Sequence, residues 1–105
     1  MFVRGVICEP GKPAMEAEID TQFLSQIIGE NRVMLRLFKD REVGAVCNDS
    51  YNTDQTGLTF NRSIGSIFRS TAIYGTFFVA GLEVDGSLLS LNDQQIKLYV
   101  KQLSK

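Results

Sequence analysis

Residues 73–103 run IYGTFFVAGLEVDGSLLSLNDQQIKLYVKQL, and the fold class follows from reading this stretch. Its first half is β-branched and aromatic. The core Tyr74-Gly75-Thr76-Phe77-Phe78-Val79 reads as a central strand. Asp85-Gly86 is a turn signal, pointing to a hairpin with a short strand at Ser87 to Leu89. The second half changes period. Asn92 can cap a helix, Gln95 stands at the third helical position for a capping box, and Leu91 can staple onto Ile96. Ile96, Tyr99, Val100 and Leu103 then recur at i, i+3, i+4 and i+7, which makes one buried stripe. Of Lys97, Lys101 and Lys105, which fall elsewhere, two sit near the C-terminus, where they suit the helix dipole.

Working outward, Phe2 to Cys8 is apolar and β-branched and stops at Glu9-Pro10-Gly11-Lys12-Pro13, a turn by composition. From Ala14 to Ile19 the residues alternate, Met15, Ala17 and Ile19 against Glu16 and Glu18, which predicts a strand with one solvated face and a first hairpin. Asp20 can N-cap a helix, with Ile19 and Leu24 as its staple, Phe23, Leu24, Ile27 and Ile28 along one face, and Gly29 as terminator. Val33 to Phe38, the charged turn Lys39-Asp40-Arg41-Glu42, and Val43 to Cys47 predict a second hairpin. Asn48 to Gly57 is a polar loop. Ile64, Ile67 and Phe68 have helical spacing, but Gly65 and the serines weaken it, so over Ile64 to Ala72 a short helix and a single turn or irregular connection are equally expected. The order is β-β-α-β-β-loop-β-α, an α+β domain of antiparallel hairpins packed against two helices, with the sheet order open.

The chain has 105 residues, enough for one domain spanning 1–105 and too few for two cores. Its charged fraction of 22% and apolar fraction of 44% are those of a globular chain, so disorder is not expected. A formal net charge of −1 argues against the basic footprint of a nucleic-acid binder and against a DNA mimic, so direct nucleic-acid binding is not expected. Cys8 and Cys47 are expected to be buried free thiols rather than a disulfide framework. No apolar run approaches the about 18 residues that span a bilayer, and Arg4, Gly5 and Glu9 interrupt the apolar start, so a cytoplasmic protein without a membrane span is expected.

The chain contains no histidine. That removes the commonest general base and metal ligand, and with it any Ser-His-Asp or Cys-His site within one chain. Two cysteines do not make a structural zinc site. Glu16 and Glu18 read as the solvated side of a strand. A calcium loop counted from Asp49 fails, because its sixth and twelfth positions hold Asp54 and Phe60 instead of Gly and Glu. No phosphate loop or dinucleotide fingerprint is present. Neither catalysis nor a cofactor or metal is expected.

Two groups of candidate binding residues remain. Arg32, Arg36, Lys39 and Arg41 form the densest basic stretch, either a solvated strand face or a patch for phosphate or an acidic partner. Asn48, Asp49, Asn61 and Arg62 belong to the long polar connection, and such loops are often functional. Their amides and guanidinium can present donors to a ligand or tie the loop to its own backbone.

Several short marks occur in order along the chain: Glu9-Pro10-Gly11, Val46-Cys47-Asn48, Asn61-Arg62, Gly75-Thr76-Phe77-Phe78, and Leu89-Ser90-Leu91-Asn92-Asp93-Gln94-Gln95-Ile96 at the entry to the last helix. In this set the chain resembles an uncharacterised family of small proteins of bacteriophages, plasmids and their bacterial hosts. It departs from the family at Thr59-Phe60, where members often carry a proline before the Asn-Arg pair. The resemblance implies a mobile-element setting, in which small proteins are often inhibitors of host defence of the anti-CRISPR type. The expectation is a non-catalytic protein that binds a host protein target, such as a CRISPR effector nuclease. The alternative is a small-ligand or nucleotide-sequestering protein with Asn48, Asn61 and Arg62 as contacts.

Overall fold

In the computed structural model, which describes residues 1–53, 57–66 and 69–104, the chain runs β1 (Phe2–Cys8), β2 (Met15–Asp20), a 3-10 turn (Thr21–Phe23), α1 (Leu24–Ile27), β3 (Arg32–Leu35), β4 (Val43–Asn48), β5 (Phe60–Ser66), β6 (Arg69–Tyr74), β7 (Phe77–Leu82), β8 (Leu88–Leu89) and α2 (Asp93–Leu103). All six residues of β7 are buried, so this strand has no solvated face and takes the middle of the sheet. The order is β2-β1-β7-β4-β3, antiparallel throughout, with β8 pairing the end of β7. Val79 thus has Val6 on one side and Ala45 on the other.

Alternation along the strands divides the core in two. Val6, Cys8, Val43, Ala45, Cys47, Phe77 and Val79 face α2 and a separate β5–β6 hairpin, meeting Ile64, Ile73, Ile96, Tyr99 and Leu103. Val3, Ile7, Ile19, Val46, Phe78 and Ala80 face the other way, against Leu24 and Ile28 around α1. Phe77 and Phe78 are fully buried on opposite faces, and burial of each contributes about 1.5–3 kcal/mol.

The start of α2 is fixed twice. Asn92 and Gln95 form the expected capping box, Gln95 N donating to Asn92 Oδ1 at 2.8 Å and Asn92 N to Gln95 Oε1 at 2.9 Å. Arg4 then ties the helix to the sheet: its Nε donates to Glu16 Oε2 at 2.5 Å and its Nη1 to Asp93 Oδ1 at 2.6 Å. Those two carboxylates, Glu16 first, raise the Arg4 pKa further above its already high value.

Three local expectations are corrected. Of residues 64–72, where a helix or an irregular connection was expected, 64–66 and 69–72 pair as the antiparallel strands β5 and β6, with Ile64 opposite Thr71. Ile64 and Ile73 reach the core while Ser63 and Ser70 stay exposed, which is strand alternation. Gly65 has φ +134°, a value a helix does not accept. Ile67 and Phe68, which supplied the helical spacing, lie outside the described residues. The segment expected as one strand from Tyr74 to Val79 is divided: Gly75, at φ +84°, turns the chain from β6 into β7, and its N–H donates to Thr59 O at 2.7 Å. The first helix is a single α-turn entered through a 3-10 turn, with Asp20 accepting from Gln22 N at 3.3 Å. So short a helix brings only Leu24 and Ile28 onto the sheet and leaves Phe23 and Ile27 partly in solvent.

Cys8 and Cys47 are both buried and unbridged. Burial pushes each thiol up to about 12; the Arg62 guanidinium pulls Cys8 down by less. Because the native state holds these protons more tightly than the unfolded chain, their contribution to stability is complete below about pH 9 and is lost as pH rises toward about 12. The thiolate is the reactive form. We expect native protein at pH 8 to leave an aromatic disulfide reagent unreacted over an hour, and unfolding in guanidinium to release both thiols at once. Fast reaction of either thiol in native buffer would contradict this burial.

Candidate functional site

The Asn61–Arg62 pair sits at the start of β5, where the pairing slips from Phe60↔Tyr74 to Arg62↔Ile73. Asn61 is the extra residue of this bulge, and a bulge re-aims its side chain. Asn61 Nδ2 donates to Cys8 O and to Gly75 O, both at 2.8 Å, while its Oδ1 accepts from Arg62 Nε at 2.7 Å. Arg62 donates through Nη1 to Leu103 O and through Nη2 to Glu9 O at 3.1 Å and to Lys12 O. Two adjacent side chains therefore join the end of β1, the β1–β2 turn, the β6–β7 bend and the last turn of α2. Leu103 O is one of the carbonyls that a helix end leaves without an internal partner, and a cation there also suits the dipole.

Asn48 behaves alike. Its Nδ2 donates to Ile28 O at 3.1 Å and its Oδ1 accepts Ser50 N at 2.9 Å, closing the exit of α1 onto the loop after β4. Gly29 turns there at φ +133°, and a Cβ on it would lie 2.5 Å from Asn48 Nδ2. The neighbouring Asp49 is exposed, with its N–H on Asn31 O at 2.9 Å. Tyr74 N donates to Tyr51 O at 2.8 Å, which anchors the loop to β6. Asp54 lies outside the described residues.

The basic stretch lies elsewhere. Arg32 is on β3, the edge strand; Arg36, Lys39 and Arg41 belong to the turn between β3 and β4. Arg32 Nη1 donates to Gly29 O at 2.8 Å, and Arg36 Nη1 donates to Arg41 O, closing the turn. Among the described residues none of these four cations is paired with a carboxylate. Asp40 is held within the turn, accepting Glu42 N at 2.9 Å and reaching Gln95 Nε2 at 3.5 Å. The turn thus abuts the first turns of α2, whereas Arg62 grips the last. A helix of 11 residues is about 16 Å long, so Asp40 of that turn and Arg62 hold opposite ends of α2.

Sequence reasoning missed a groove of about 720 Å³ between that turn, α2 and the β5–β6 hairpin. Phe38, Lys39, Gly65, Gln95, Leu98 and Gln102 line it. Phe38 meets Tyr99 edge-to-face with ring centres 4.8 Å apart. Burial, and then the nearby Asp40 carboxylate, push the Tyr99 hydroxyl up. Leu98 is 55% exposed. The signal was in the sequence: Leu98 is the one apolar residue of α2 off the buried stripe. A second cleft of about 520 Å³ shares Arg36 and Gln95 with the groove and continues past Arg41 to Val84. A depression of about 250 Å³ lies beside Asn61 and Arg62.

Among the described residues, no three His, Cys, Asp or Glu side chains gather so as to hold a metal ion. No helix among them is long and apolar enough to cross a membrane. No curated protein and no solved structure matches the chain. A family model does match, over residues 3–104, which is nearly the whole length. The chain therefore belongs to the family described as domain of unknown function DUF3846.

Proposed function

We propose that this chain is a non-catalytic protein-binding domain that acts by occupying the surface of a partner. Its mobile-element resemblance extends that reading to an inhibitor of a host-defence protein, such as a CRISPR effector nuclease. One observation carries the binding reading: a leucine in mid-helix, more than half exposed, borders a groove with an aromatic floor and a rim of amides and cations. Interfaces draw their energy from apolar and aromatic anchors in such settings, with polar groups at the margin. The alternative of a small ligand held by Asn48, Asn61 and Arg62 is disfavoured, because the side-chain donors of these residues are directed at carbonyls of the chain itself.

The test is affinity capture of tagged protein from lysate of a CRISPR-bearing bacterium, parent beside Leu98→Asp. The parent is expected to retain a protein partner at near one-to-one ratio, and the substitution to reduce capture at least tenfold. Leu98 lies outside the core, so its replacement should shift Tm by less than about 4 °C. If the partner is an effector nuclease, adding the parent should stop its cleavage and adding Leu98→Asp should not. A co-eluting nucleotide without protein, or equal capture by both forms, would overturn the reading.

A further inference from the structure

We propose that a second copy of the chain closes over the groove as a two-fold dimer, the β7–β8 turn of each copy seated in the groove of the other. This goes beyond the protein-binding reading above: the same groove gains a second occupant, with which a host partner competes.

The turn between β7 and β8 is built as a rigid knob. Glu83 N donates to Ser87 O at 2.9 Å, Gly86 N to Glu83 O at 3.0 Å, and Ser87 N to Asp85 Oδ1 at 2.9 Å. Gly86 supplies the left-handed step, at φ +89°. Turn tips are commonly polar, yet Val84 stands fully exposed on this one, between the exposed Glu83 and Asp85. Bonds from the Ser87 hydroxyl and N–H hold the Asp85 carboxyl below its ordinary range, so it is ionised at neutral pH.

The groove is the counterpart of the knob. Phe38 and Leu98 give it apolar walls, and Arg36 and Lys39 line it with cations. Neither cation is in an ion pair among the described residues. The lining carboxylate, Asp40, is engaged by Glu42 N and Gln95 Nε2. The neighbouring cleft has the opposite balance: apart from the shared Arg36, it carries Glu42 and Glu83 against Arg41, with Asp85 next to it on the turn.

The relative placing of knob and groove selects the symmetry. Val84 lines the cleft alone, Leu98 lines the groove alone, and Arg36 and Gln95 line both. A two-fold axis at that junction carries the cleft side of each copy onto the groove side of the other. Val84 then meets Leu98 and Phe38 of the second copy, and Glu83 meets its Arg36 and Lys39. Each contact is made twice, and the assembly closes at two copies. Opposite signs face one another across it, which fixes the register and disfavours groove-on-groove pairing.

One turn and one groove per copy make a small contact of the transient class, for which a Kd of about 100 µM is expected. Well below that concentration, as in capture and melting, the chain is a monomer. Sedimentation equilibrium on the full chain, from about 10 µM to about 1 mM, should show mass rising to twice the monomer's and stopping there. Val84→Lys should weaken the dimer at least tenfold, as should Glu83→Lys and Lys39→Glu singly. The Glu83→Lys, Lys39→Glu double variant should recover to within about threefold of the parent, because the pair is restored with its signs exchanged. All these side chains are exposed, so the variants should keep the parent's circular dichroism. In a mixture of isotope-labelled and unlabelled protein, filtered NMR should show Val84 methyls of one copy against Leu98 of the other. Val84→Lys should still capture a host partner through Leu98, so failure of the dimer and failure of the partner reading are read separately. A monomer throughout the range, growth beyond two copies, or a dimer indifferent to Val84→Lys would overturn the proposal.

Discussion

Arg62→Ala is expected to destabilise the domain by about 3 kcal/mol and to lower Tm by more than about 10 °C. The guanidinium bonds the carbonyls of Leu103, Glu9 and Lys12 and the side chain of Asn61. A hydrogen bond from a charged group contributes about 1.5–3 kcal/mol, and removing the donor also strands part-buried acceptors. The contributions do not add, because all four bonds leave one rigid fork. Arg62→Lys should recover less than half, since an ammonium cannot span several carbonyls at fixed angles. Asn61→Ala should be similar in sign and smaller, and the double variant should fall short of the sum because the two side chains bond one another. Thermal unfolding with tryptophan-free near-ultraviolet dichroism measures all four. An unchanged Tm for Arg62→Ala would free Arg62 from its structural role and return it to consideration as a ligand contact.

That prediction marks how far the site could be read from sequence. Asn48, Asn61 and Arg62 stood out as polar residues in a long connection, and two uses of their donors were open. Geometry assigns the donors to the chain's own backbone, and nothing local in the sequence shows this. The backbone carbonyls that Arg62 bonds lie 41 to 53 positions away, and the bulge that aims Asn61 depends on how β5 pairs with β6. The basic stretch was legible as a run of charge, but its placement on an edge strand and the turn after it was not. Edge position is a property of sheet order, which local pattern does not carry.

The fold was legible where local signals agree. α2 has its cap, its staple and its stripe in one window; the capping box forms, and Leu91 and Ile96 are buried in the same core cluster as the stripe. The first and second hairpins were legible from alternation and turn composition. The β5–β6 hairpin was not, because Ile64 and Ile67 fall at i and i+3 as they would in a helix, while the strand signal is diluted by serines and by Gly65. Likewise Tyr74 to Val79 looks like one strand until the positive φ of Gly75 is known. Glycine permits such a bend without announcing it.

Gly5→Ala is the second large expected effect, of about 3 kcal/mol or more. Gly5 lies in β1, opposite Ala17, and takes no left-handed conformation. Its need is for space: a Cβ there would stand 2.2 Å from Val79 O and 2.8 Å from Phe78 Cζ. Phe78 is fully buried and Val79 O belongs to the central strand, so neither can yield without parting β1 from β7. Against a total stability of about 5–15 kcal/mol for a domain of this kind, such a loss should lower Tm by more than about 10 °C. Gly11→Ala is the control, since Gly11 has φ +74° but nothing within 4 Å of its missing Cβ; it should lose only about 1 kcal/mol. Equal losses at the two positions would refute the close approach of β1 to β7. The pair also separates fold from function. Parting β1 from β7 withdraws the Cys8 and Glu9 carbonyls from Asn61 and Arg62, so Gly5→Ala should reduce groove binding in step with the unfolded fraction. Leu98→Asp should remove groove binding alone, in a protein that melts where the parent does.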